Sequence, residues 1–104
     1  MEQEYVRSRL DDVYWDKRSY NKHGDIVHLG WSICFAETEE EGWKLALEWV
    51  KERERQIKDV EEEIDWLTDR APVYSEAANA KKQRILARLQ SALADLRKGM
   101  RDAR

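Results

Sequence analysis

Between Thr38 and Pro72 the apolar residues recur alternately three and four positions apart: Trp43, Ala46, Val50, Ile57, Val60, Ile64, Leu67 and Ala71, with Arg53 the one interruption. That spacing is the seam of a helix face and has no counterpart in a strand, whose period is two. It predicts a helix over residues 38–70. Thr38 and Glu41 have capping-box spacing, Glu39 to Glu41 suit the positive end of the helix dipole, and Pro72 stops the run. A second three-four stripe, Leu86, Leu89, Leu93, Leu96 and Met100 widened by Ile85 and Ala92, predicts a helix over about residues 75–99. Ser75 stands as its N-cap, and Gly99 as its stop. The short connection Ala71–Tyr74 makes the pair an antiparallel hairpin.

Charge follows the same division. Of the 104 residues, 19 are Lys or Arg and 22 are Asp or Glu, a net of −3. Residues 1–36 hold 5 bases and 6 acids, residues 37–70 hold 6 and 13, and residues 71–104 hold 8 and 3. The segment charges are therefore −1, −7 and +5. Antiparallel pairing lets the acidic and basic helices neutralise each other: Arg97, Lys98 and Arg101 would approach Glu39 to Glu41, and Lys81, Lys82 and Arg84 would approach Glu61 to Glu63. Exposed pairs are worth at most about 1 kcal/mol each, so they set register more than stability.

The first 36 residues carry a different signal. Val27, Leu29, Trp31, Ile33 and Phe35 alternate with His28, Gly30, Ser32 and Cys34, which reads as one strand. The aromatic and β-branched run DVYWDKRSY precedes it, and Lys22–His23–Gly24 would close a bulged hairpin with glycine left-handed. In that register Val13 lies opposite Ile33 and Trp15 opposite Trp31 on the buried face. Residues 3–10 read either as a strand adding Val6 and Leu10 to that face or as a short helix with the stripe Val6, Leu10, Val13. The strand is preferred because a two-stranded ribbon is marginal alone. The expected fold is α+β: a small antiparallel meander or hairpin over about residues 4–36, packed on the long two-helix hairpin, in a single domain of residues 1–104.

Geometry extends the expectation. A helix over residues 38–70 is roughly 50 Å long, whereas a compact chain of this size is only roughly 34 Å across. Trp49 and Trp66 lie off the main seam, and Leu45 with Trp49 begins a second apolar stripe. A dimer or core contact is therefore expected at Leu45, Trp49 and Trp66, and a homodimer with it.

No catalytic constellation stands out. Cys34 and His28 share a strand face but lie six residues apart on it, beyond hydrogen-bond reach. Two histidines and one cysteine lack zinc-ligand spacing, so no metal and no cofactor is expected. Four scattered glycines make no phosphate loop. A single cysteine fits a reducing, cytoplasmic setting, and the charged N-terminus lacks an apolar signal core.

Two surfaces remain. An acidic helix face, Glu48, Glu52, Asp59, Glu61, Glu62, Glu63 and Asp65, could steer a basic partner such as a nucleic-acid-handling protein. In the three-stranded register the outer sheet face would carry Arg7, Arg9, Tyr14, Arg18, Tyr20 and His28, with Tyr5. Tyrosines among arginines resemble a stacking platform for bases, and the same residues equally make an ordinary solvated face, with Arg7 paired to Asp16 across the strands, or a surface for protein contact. The overall negative charge opposes phosphate approach outside this patch and weighs toward the solvated or protein-contact reading. Five tryptophans and four tyrosines are an inventory rich in the residues that anchor interfaces. The expected function is a non-catalytic, homodimeric interaction protein of the adaptor or inhibitor type. In size and charge alone it resembles small phage-encoded inhibitors of host defence, anti-CRISPR proteins among them. The alternative is a DNA- or RNA-binding regulator using the tyrosine–arginine face.

Overall fold

The computed structural model describes residues 1–101 and runs in the order α1 (Glu2–Arg9), β1 (Val13–Asp16), β2 (Gly24–His28), β3 (Trp31–Ala36), α2 (Glu39–Asp69), α3 (Glu76–Arg97). A three-stranded antiparallel sheet in the order β1-β2-β3 accompanies the long helical pair, an α+β architecture. The chain forms two compact units. One contains Met1–Arg53 with the described residues from Gly99, and the other contains Glu54–Lys98, so the boundary falls inside α2.

The helical hairpin lies where the spacing places it. The Glu41 amide donates to Thr38 Oγ1 at 3.2 Å, and the Ala78 amide donates to Ser75 Oγ at 3.1 Å. Each side chain thereby satisfies an amide that the first turn leaves unpaired. Gly99, just past the C-cap Lys98, takes φ +75°, the left-handed conformation of a helix stop.

The first unit departs from the sequence reading in four ways. Residues 3–10 are not a strand: Glu2–Arg9 is α1, with Glu2 and Glu4 in its first turn and Arg7 and Arg9 in its last, both matching the helix dipole. Val6 and Leu10, four apart, reach the core from the helix and are almost completely buried. The third strand comes instead from the alternating run, which is two strands and not one. Leu29 and Gly30 have φ +53° and +80°, the pair of positive values that a two-residue primed turn requires, and His28 pairs with Trp31 across it. Alternation continues through so short a turn, so the periodicity did not reveal it. The register changes accordingly: Val13 pairs with His28 and Trp15 with Ile26, in place of Ile33 and Trp31. A bulge leaves Ile33 unpaired, because Val27 faces Ser32 while Ile26 faces Cys34. Gly24 is not a left-handed loop residue but the first residue of β2.

The core of this unit is Val6, Leu10, Ile26, Trp43, Ala46 and Val50. Trp43, Ala46 and Val50 are the N-terminal part of the expected seam. The chain beyond α3 returns to α1's end: Asp11 N donates to Gly99 O at 2.8 Å, Arg101 N donates to Arg9 O at 2.7 Å, and Leu10 bridges Met100.

In the second unit the remaining seam, Ile57, Val60, Ile64 and Leu67 on α2 with Ile85, Leu89, Leu93 and Leu96 on α3, is half-buried throughout. Only Leu86, 8% exposed, is buried. Arg97 pairs with Glu61, not with the first-turn acids Glu39 to Glu41, and Arg101 pairs with Asp11 at 2.9 Å. Exposed ion pairs are too weak to hold a helix register against apolar contact, so charge did not set it.

Candidate functional site

The residues of the expected tyrosine–arginine platform are not gathered on one sheet face. Arg7 and Arg9 belong to α1, where Arg7 lies 5.5 Å from the Trp43 ring and Arg9 5.0 Å from the Tyr5 ring. Both guanidinium groups thus lie over aromatic rings from a helix and not on the sheet. His28 is 6% exposed, its Nδ1 2.7 Å from the Asp11 carbonyl and its ring edge-on to Trp49. A histidine at that distance from a carbonyl oxygen donates from Nδ1, which ties β2 to the segment after α1. Tyr14 remains exposed on β1, and Arg18 Nη1 donates to Tyr20 Oη at 3.1 Å in the loop between β1 and β2. The platform dissolves because α1 replaces a strand and because the turn at Leu29–Gly30 puts His28 on the inner side.

Cys34 is half-buried and donates from Sγ to the Gly42 carbonyl at 3.5 Å. Burial pushes its thiol above the ordinary 9.0; a backbone hydrogen bond from Ile26 opposes the rise, and the Asp25 carboxylate adds to it. A thiol held in its neutral form is a poor nucleophile and a poor metal ligand. Among the described residues, no group of three or more His, Cys, Asp and Glu side chains is placed to hold a metal ion. No helix in the described chain is long and apolar enough to cross a membrane.

The acidic residues divide between the two units. Glu48 and Glu52 are exposed on the part of α2 in the first unit. In the second unit Asp59 is bound by Arg55 at 2.7 Å and Glu61 by Arg97, while Glu62, Glu63 and Asp65 project into solvent. The three apolar residues expected at a dimer or core contact part company. Trp49 packs on the core of the first unit with Arg53 4.5 Å from its ring, and Leu45 is half-buried. Trp66 is 51% exposed in the second unit. At about 100° per residue, Trp66 lies roughly 140° around α2 from the seam, with Glu62 and Glu63 one turn before it and Asp69 and Arg70 one turn after.

Two large aromatics that a single alternating strand puts on the buried face are exposed: Trp31, 79%, and Phe35, 67%. Phe35 borders an open groove of about 470 Å³ with Lys22, His23, Ala36, Glu37 and Glu41, and the His23 ring lies 5.6 Å from it. The signal that marks them is Gly30 in the middle of an alternating run longer than an ordinary strand. Tyr74, 89% exposed, sits in the connection between α2 and α3.

Comparison of the sequence and structure with protein-family models, curated proteins and solved structures finds no match.

Proposed function

We propose that this chain is a non-catalytic protein-interaction module, homodimeric and acting as an adaptor or inhibitor, which presents the outer face of α2 around Trp66 to a basic partner protein. The observation that carries the reading is the setting of Trp66. A half-exposed indole on a helix, with Glu62 and Glu63 one turn before it and Asp69 and Arg70 one turn after, has the anatomy of an interface anchor: an aromatic to be desolvated at the centre and a charged, mostly acidic rim to steer approach. Burying the exposed part of Trp66 in a partner's pocket removes apolar area from solvent. The acids favour a partner of opposite charge chiefly through the rate of association. A reducing, cytoplasmic setting fits a chain whose one cysteine is a free thiol.

The test is affinity capture with tagged protein, followed by titration of the captured component against variants. Trp66→Ala should weaken binding by roughly tenfold or more, the loss typical of an interface anchor. Reversing Glu62 and Asp65 together to lysine should slow association and flatten its salt dependence. A captured component that is DNA or RNA, bound equally by both variants and lost with Arg18→Ala, would overturn the protein-partner reading in favour of a nucleic-acid regulator.

A further inference from the structure

The seam of the second unit is incompletely covered although it is continuous. Seven of its apolar positions, Ile57, Val60, Ile64 and Leu67 on α2 with Leu89, Leu93 and Leu96 on α3, keep partial solvent contact, and Leu86 alone is buried. Two helices can shield one side of a shared stripe; closing it from the other side takes more helix. Within this unit α2 and α3 are the only elements among the described residues.

The charge of the same unit indicates what the additional helix is. From Glu54 to Asp69, α2 carries 7 acids against 2 bases, a net of −5, and Glu76 to Lys98 carries 6 bases against 2 acids, a net of +4. With Arg70 the unit is neutral. An acidic helix and a basic helix in one neutral hairpin are complementary to another copy of that hairpin, provided unlike helices are neighbours.

We propose that the hairpin of Glu54–Lys98 pairs with the same hairpin of a second copy in a four-helix bundle, with each α2 lying antiparallel beside α3 of the other copy and like helices on the diagonals. Direction and charge then alternate around the bundle. The arrangement also uses both flanks of each helix. Glu61 and Arg97 face each other within one hairpin. At about 100° per residue, Asp59, Glu63 and Arg70 on α2 and Lys81, Arg88 and Asp95 on α3 lie on the opposite flanks, toward the second copy, a net acidic flank facing a net basic one. Trp66, on the far side of α2 from the seam, stays outside, so the dimer displays two copies of the proposed partner surface and binds a bivalent partner with avidity. This proposal deepens the homodimeric part of the reading above and is independent of the partner that Trp66 binds.

Sedimentation equilibrium of the full chain, read together with far-ultraviolet circular dichroism, tests it. The wild type should be dimeric at roughly 50 µM chain and dissociate on dilution. The double variant Lys81→Glu, Arg88→Glu alters only exposed side chains; it should weaken the dimer about tenfold at low salt with its helix content kept, and the difference should shrink at high salt. Ile64→Lys should abolish the dimer. If Ile64→Lys also loses helix, the charge variant decides. Trp66→Ala should leave the dimer unchanged. A monomeric wild type, a charge variant that dimerises as tightly as wild type, a folded Ile64→Lys dimer, or a dimer lost in Trp66→Ala would each overturn the proposal. Partner capture by a monomeric wild type would separate this failure from that of the partner surface.

Discussion

Trp15 shows how finely single residues set the first unit. Its indole lies against two glycines: a Cβ on Gly24 would stand 2.4 Å from Trp15 Cζ2, and one on Gly42 would stand 2.7 Å from Cζ3. The ring bridges the start of β2 and the first turn of α2, a passage only glycine leaves open. Gly42→Ala sets two effects against each other. Alanine gains about 1 kcal/mol of helix propensity, while overpacking costs about 1–3 kcal/mol. The expected outcome is a net loss of roughly 1 kcal/mol, seen as a lower urea midpoint with unchanged slope; a raised midpoint would show that the indole yields freely. Cys34 makes a prediction in pH. Its thiol is raised by burial, so folded and unfolded chains both keep the proton below 9.0, and the group changes nothing there. Above 9.0 the unfolded thiol ionises first and stability falls as pH rises. Cys34→Ala should therefore lose less stability than wild type between about pH 8 and about pH 10, measured by urea unfolding at both.

At the scale of elements, the helices are written in local chemistry and the sheet is not. Caps at Thr38 and Ser75, a left-handed Gly99 and the three-four stripe are all properties of neighbouring residues, and they place α2 and α3 to within a residue or two. Ser75→Ala removes the acceptor for the Ala78 amide and should cost about 1 kcal/mol, detectable as reduced helicity or an earlier thermal transition. The strands depended on a turn that sequence scarcely marks. Leucine is a poor candidate for positive φ, yet Leu29 adopts +53°, stabilised by the antiparallel pairing on both sides of the turn and by the Leu29 amide bond to the Asp12 carbonyl at 3.1 Å. Residues 3–10 were ambiguous for a different reason. Val6 and Leu10 are an even number apart and also one helical turn apart, so both periods bury them. Which element formed was decided by what else could complete the sheet, and the division of residues 24–36 into β2 and β3 removed the need for a third strand from the N-terminus.

At the scale of the molecule, the two units differ in how much they bury. The first has six buried residues in one cluster joined by sheet pairing; in the second, residues 72–81 are exposed without exception and the seam is half-covered. Opening free energy follows burial and contact, so amide exchange should be slowest in β2 and in α2 near Ala46 and Val50, and fastest in the first turns of α3. If the first turns of α3 exchange as slowly as β2, the second unit is held by more than its own seam. The candidate surfaces separate along the same lines. The acidic residues are legible because charge is counted directly from sequence, whereas Trp49 and Trp66 both lie off the seam and yet one packs on the core and the other is exposed, so the angle alone does not decide exposure. Trp31 and Phe35 were misplaced, since exposure on a strand depends on its partners and its register. What the sequence determined by itself was therefore everything governed by short-range periodicity and capping: two long helices, their ends, their opposite charges and the class of the fold. The tertiary structure decided which residues became α1, where the alternating run turned, which face each strand residue took and which cation met which carboxylate. These are contests between distant groups, settled by burying apolar area and pairing backbone bonds together, and no local pattern carries their outcome.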